Sequence, residues 1–161
     1  MKAKRSSSRS SLWRHPMDRS RRVWDAGRAM SQESLEIMKR GYEVWNRGDM
    51  AAVLEGFDPD VEWWDRGDWL DVKVRRGHDG LRGGWADIAE AFSEFRMEPK
   101  EFIDAGDYVV VPIHRVGTGR ASGALIEEDE VHVYRMRDGK AIELREYQEK
   151  KEALEAVGLA E

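Results

Sequence analysis

Asp138-Gly139 lies between two runs of alternating apolar and polar residues, about 124–136 and 141–148, and it constrains the chain more than any other feature. A two-residue Asp-Gly loop of this kind closes a type I′ hairpin, because both of its positions need positive φ. Arg137 is then expected opposite Lys140, and counting outward pairs Tyr134 with Glu143, His132 with Arg145 and Glu130 with Tyr147. Period-2 alternation puts these last six residues on one face and Val131, Val133, Ile142 and Leu144 on the other. The C-terminal part is therefore expected to form an antiparallel sheet with one polar-aromatic and one apolar face.

Upstream the period changes. Ser31 is a candidate N-cap, with Glu33 in the first turn, for a helix whose stripe is Leu35, Met38, Tyr42 and Trp45. Asn46-Arg47-Gly48 stops it, and Asp49 caps a short second helix that turns Met50, Val53 and Leu54 inward and ends at Gly56. Asp58-Pro59-Asp60 reads as a turn, followed by a short strand with Val61, Trp63 and Asp65 on one face. Residues 66–77 read as a loop with an edge strand near Val72 to Arg75. Gly77 to Gly80 introduces a third helix carrying Leu81, Trp85, Ile88, Ala89 and Phe92. Strands are expected at about 96–104, 107–116, 124–136 and 141–148, then a short helix from Lys150 ended by Gly158, with Leu159 beyond the cap. Helices first, then antiparallel strands with one helix interposed, is an α+β order.

Charge divides the chain. Residues 1–29 carry nine Lys and Arg against two acids, net +7, while residues 30–161 carry 18 against 30, net −12. The leader is rich in Ser and Arg, with few apolar anchors, and reads as a disordered segment outside a domain of residues 30–161; the alternative is a basic interaction arm. An acidic body disfavours nucleic acid, whose binding draws on Lys and Arg. The absence of cysteine excludes disulfides, thiolate zinc sites, iron–sulfur clusters and a cysteine nucleophile. No apolar run approaches the roughly 18–20 residues of a membrane span, and the basic start lacks a signal-peptide core, so a soluble, cytoplasmic protein is expected. The four histidines lack metal-ligand spacing, and the Gly117 to Arg120 loop lacks the Lys and strand–loop–helix setting of a phosphate motif. Neither metal nor cofactor is expected.

Taken in order, the blocks SQESLEIMKRGYEVWNRGDM, DPDVEWWD, RRGHDGLRGGW, EFIDAGDYVVV and VHVYRMRDGKAIELREYQEKKEALEAVGL resemble the SnoaL-like branch of the nuclear transport factor 2-like superfamily over about residues 31–159. The resemblance implies a cone-shaped α+β barrel, a curved antiparallel sheet wrapped around three helices and a pocket, commonly as a homodimer. It implies fold more than activity, since the superfold hosts polyketide cyclases, ketosteroid isomerases, epoxide hydrolases, dehydratases and non-catalytic binders.

The polar-aromatic face of the hairpin either meets water or lines that pocket. The resemblance favours the pocket, because His132 falls roughly where ketosteroid-isomerase-like relatives place an acid that donates to an oxyanion. The apolar face would then be the dimer surface. His132 becomes the candidate general acid or base, with Arg145, Tyr134 and Tyr147 as binding neighbours. The relatives' catalytic carboxylate falls near Trp63, which cannot replace it; Asp65, two residues on and facing the same way, is the candidate base. Tyr42 lies one position from the isomerase's helical tyrosine, and the Arg-x-Asp of the epoxide hydrolases is missing from the expected strands. Tyr42, Trp45, Trp63, Trp85, Tyr134 and, from mid-strand, His114 are candidates to wall a pocket, or else belong to plain core. The expectation is a cofactor-free cyclase, isomerase or hydratase acting on a hydrophobic small molecule, with a non-catalytic ligand-binding or dimerisation module as the alternative.

Overall fold

A computed structural model describes residues 32–66 and 71–159. The basic leader and the Ser31 cap lie outside them. Helix α1 (Gln32–Asn46) buries Met38, Tyr42 and Val44, with Leu35 and Trp45 half-buried. The Asn46 side chain ends it by donating to Met97 O at 2.8 Å and accepting from Met97 N at 2.9 Å. The short α2 (Met50–Glu55) begins at Asp49, whose carboxylate accepts from Ala52 N at 3.2 Å. Strand β1 (Phe57–Asp65) runs through the expected Asp58-Pro59-Asp60 turn. That turn survives as an irregularity inside the strand, where Asp60 N donates to Asp58 Oδ1 at 2.8 Å and the register shifts between Phe57 and Glu62.

Strand β2 (Lys73–Arg76) pairs antiparallel with β1 and runs into α3 (Gly77–Ala91), starting at Gly77 with φ +69°. Phe92, expected at the end of that helix, instead opens β3 (Phe92–Pro99). Then come β4 (Ile103–Ala105), β5 (Tyr108–Gly119), β6 (Leu125–Arg137), β7 (Lys140–Tyr147) and α4 (Lys150–Ala156). Leu159 N closes the last helix on Leu154 O at 2.8 Å, past Gly158 at φ +86°.

The strands form one curved, open sheet in the order β2-β1-β7-β6-β5-β3, with β4 on β5. Among the described strands every pairing is antiparallel except β1 with β7, which is parallel, and the expected curved α+β sheet is thereby present with one parallel seam. Helices α1, α2 and α3 fill the concave side against Val61, Trp63, Val111, Ile113 and Leu144. Helix α4 covers the opposite side, packing Ala153, Ala156 and Val157 on Tyr108, Val110, Val131, Val133 and Tyr147. Val131 and Val133, assigned from sequence to a dimer surface, are thus covered by the chain's own helix, and Leu144 belongs to the concave core.

The hairpin turn is type I′, with Asp138 at φ +53° and Gly139 at φ +79°. Arg137 faces Lys140 and Met136 faces Ala141, but Arg135 faces Glu143, which leaves Ile142 as an extra residue on β7. Beyond this bulge Tyr134 faces Leu144, His132 faces Glu146 and Val131 faces Tyr147. A one-residue slip exchanges the two faces of a strand. Glu143, Arg145 and Tyr147 therefore leave the face that sequence gave them, and Leu144 and Glu146 replace them. The apolar Leu144, 6% exposed, thereby enters the core.

Candidate functional site

A cavity of about 110 Å³ lies between α1, α3 and the concave side of the sheet. Ile37, in its wall and 44% exposed, marks the side open to solvent. The upper wall is aromatic, with Trp45 edge-to-face on Trp85 at 5.5 Å and on Phe95 at 6.4 Å. The floor is polar, and β6 and β7 build it from Glu130, His132, Tyr134 and Glu146.

The hydrogen bonds of the floor form one chain. His132 Nε2 stands 2.9 Å from Glu130 Oε2, and Nδ1 stands 3.0 Å from the Tyr42 hydroxyl, which is 2.8 Å from that of Tyr134. A carboxylate only accepts, so Nε2 carries a proton. In the neutral ring Nδ1 then accepts from Tyr42, and Tyr42 accepts from Tyr134. In the imidazolium Nε2 still donates to Glu130, while the bonds between Nδ1 and Tyr42 and between Tyr42 and Tyr134 reverse, and the Tyr134 O–H is released to donate into the cavity. Burial, first, and Tyr134, second, push the Tyr42 hydroxyl far above the ordinary tyrosine range, and burial does the same to Tyr134. Both stay protonated at neutral pH and act as donors or relays.

Two carboxylates share this floor and diverge. Burial pushes Glu130 up, but the hydrogen bond and field of His132, with the Arg115 guanidinium at 3.4 Å, outweigh it and hold Glu130 below its usual range. Glu146 is pushed up to about 7, by burial first and Glu130 second, against the opposing pull of His132 and of the Arg66 N–H. Its Oε2 accepts from Trp63 Nε1 at 2.8 Å and its Oε1 from Arg66 N at 2.9 Å. Paired groups driven apart in this way mark acid–base chemistry. Glu130, His132 and Glu146 also bring donor atoms within 4.8 Å of one another, a spacing that could serve a divalent cation. Both His132 nitrogens and both Glu146 oxygens are already engaged in hydrogen bonds, so the group reads first as a proton network.

The residues singled out from sequence divide accordingly. The structure brings Tyr42, Trp45, Trp63, Trp85, His132 and Tyr134 to the cavity. Asp65 stands outside its wall, bound to Arg75 Nε at 2.8 Å. Arg145 sits on the convex side, with its guanidinium 3.8 Å from the Trp64 ring and 3.0 Å from Glu143. Tyr147 lies beneath α4. His114 also misses the cavity, bonding Asp129 at 2.8 Å and Glu127 at 2.9 Å, which raise its pKa. Sequence reasoning missed Glu146 and Arg115. Glu146 was hidden by the bulge, and its one mark in the sequence is its place in an alternating strand; nothing local distinguishes Arg115.

Comparisons with known proteins agree with this architecture. An uncharacterized protein of Mycobacterium tuberculosis is 25% identical over 114 residues, 70% of this chain and 86% of that protein. An NTF2-like protein of unknown function from Burkholderia pseudomallei superposes with a TM-score of 0.66 at 26% identity, over 80% of this chain and 99% of that one. TerC, co-crystallised with polyporic acid, superposes with a TM-score of 0.63 at 29% identity, over 76% and 96%. No described helix is long and apolar enough to cross a membrane. The sequence model of the SnoaL-like domain matches residues 38–144, most of the described fold and nearly all of the cavity's wall, and the chain belongs to that family.

Proposed function

We propose that the protein is a cofactor-free acid–base enzyme that moves a proton between carbon and oxygen of a small aromatic or apolar carbonyl compound. The observation that carries this is Glu146, a carboxyl poised at about 7 beside the Tyr134–Tyr42–His132–Glu130 chain, in an aromatic cavity. A base whose pKa lies near the working pH combines adequate ionisation with adequate basicity. Glu146 takes a proton from the carbon next to the carbonyl. The carbonyl oxygen, becoming enolic, takes the Tyr134 proton, which Tyr42 replaces and the His132 imidazolium supplies. Glu130 stays ionised and keeps His132 oriented. Isomerisation, cyclisation and dehydration all begin with such a step. TerC, a similar structure co-crystallised with polyporic acid, supports the small-molecule side of the reading.

Solvent deuterium exchange tests it, with 2-tetralone and related aryl ketones as probes. Exchange above the buffer rate is expected to rise through pH 7, and to fall at least 100-fold in Glu146→Gln. Equal exchange by the two proteins overturns the assignment. A second reading, a non-catalytic carrier of apolar ligands, is favoured by the internal pairing of the floor's hydrogen bonds. Saturable quenching of tryptophan fluorescence by the ketones, without exchange, would select it.

A further inference from the structure

We infer that Trp63 is a positioning residue for Glu146, and that Arg75 and Gly84 hold Trp63 in that role from outside the cavity floor. The inference rests on Glu146 as the proton-transferring group. The Trp63 indole, 6% exposed, donates its Nε1–H to Glu146 Oε2 at 2.8 Å across the parallel β1–β7 pairing. The ring is clamped. A Cβ at residue 84 would lie 2.1 Å from Trp63 Cζ3, so that turn of α3 can approach only as glycine. The Arg75 guanidinium lies 5.5 Å from the ring centroid, within cation–π range, and is fixed by Asp65 at 2.8 Å and Asp87 at 2.7 Å. Asp65 thus reaches Glu146 through two residues, Arg75 and Trp63, rather than as a base. Arg75 over the ring draws electron density from the indole and sharpens its N–H as a donor, which favours the ionised form of Glu146.

The charged and titratable groups around Glu146 are Asp65 at the end of β1 and Arg66 just after it, Glu130, His132 and Tyr134 from β6, and Tyr42 from α1. Changing Trp63 alters none of them, so a shift in Trp63→Phe reports on the clamp; changing Arg75 also takes the guanidinium from Asp65, so Arg75→Gln is measured in the Asp65→Asn background, where that carboxylate is absent. The test is a carboxyl-¹³C NMR titration of Glu146 in the full-length, glutamate-labelled protein. Trp63→Phe, which removes the donor and keeps a ring, is expected to raise the Glu146 midpoint by about one pH unit. Arg75→Gln is expected to raise it by less, and Arg76→Gln, on the exposed Glu62 pair of the same strand, by nothing measurable. Each variant is first matched to its parent by its thermal melt; if Trp63→Phe does not fold, Arg75→Gln in the Asp65→Asn background decides. The titration needs no substrate, so a midpoint that moves supports the assignment even where no ketone exchanges. A midpoint unchanged in the folded variants overturns it, even if exchange is lost.

Discussion

Glu130 and Glu146 are the same side chain on neighbouring strands of one sheet, and their surroundings decide which keeps its proton. Glu146 makes folding depend on pH in a direction unusual for a carboxylate. Its value rises from an ordinary 4.5 in the unfolded chain to about 7 in the fold, so the folded state holds the proton more tightly. Stability from this group is present below 4.5 and is lost as pH rises through about 7. Glu130 acts oppositely: its contribution is present above its ordinary value and is lost only in acid. Urea denaturation at pH 5 and pH 8 is expected to show Glu146→Gln gaining on the wild type at the higher pH, by up to about 3 kcal/mol. Tyr42→Phe is a second expectation at this scale. It removes the short bonds to His132 Nδ1 and to the Tyr134 hydroxyl, leaving those two only their longer mutual contact of 3.4 Å, and should cost about 1–3 kcal/mol by the same assay. Tyr134→Phe, which spares the Tyr42–His132 bond, should cost less.

The element that decides the site is the β6–β7 hairpin with its bulge. Deleting Ile142, the extra residue, leaves Arg135 opposite Glu143 and every pair beyond it unchanged, so Leu144 and Glu146 stay on the inward face and only the bulge is lost. The deletion should therefore keep the cooperative thermal transition followed by circular dichroism; loss of that transition would show that the fold needs the bulge itself. Removing α4 should be milder in secondary structure but should expose Val110, Val131 and Val133, detected as dye binding to apolar surface. Much of this level was legible from sequence. Asp49, Gly158 and the Asp138-Gly139 turn each act through backbone chemistry written in one or two residues, and the stripe of α1 follows from periodicity. The bulge was not legible, because Ile142 carries no mark separating an extra residue from a paired one. What rejects the uninterrupted register is tertiary: it would leave Leu144 outside the core and Arg145 within it. The same reason hid Glu146 and promoted Arg145 and Tyr147. Asp65 failed differently: its strand face was read acceptably, but its partner Arg75 comes from a strand whose register no local pattern gives.

At the scale of the whole molecule, one open sheet serves two packing jobs, a cavity with three helices on its concave side and a dry seam under α4 on the other. Closure of the concave side depends on the parallel β1–β7 pairing, and the Trp63–Glu146 hydrogen bond spans 83 residues of sequence. Such distant pairings form late, because the intervening chain must be ordered before the contact stabilises anything. On a ribosome this sets a sequence of events in time. Everything through β6 emerges before the strand that carries Glu146, so the aromatic wall must wait, half-built and wet, for Lys140 to Tyr147. Chains truncated before Lys140 should therefore leave the amides of β1 open to rapid hydrogen exchange, and the site's chemistry should switch on only once β7 has emerged.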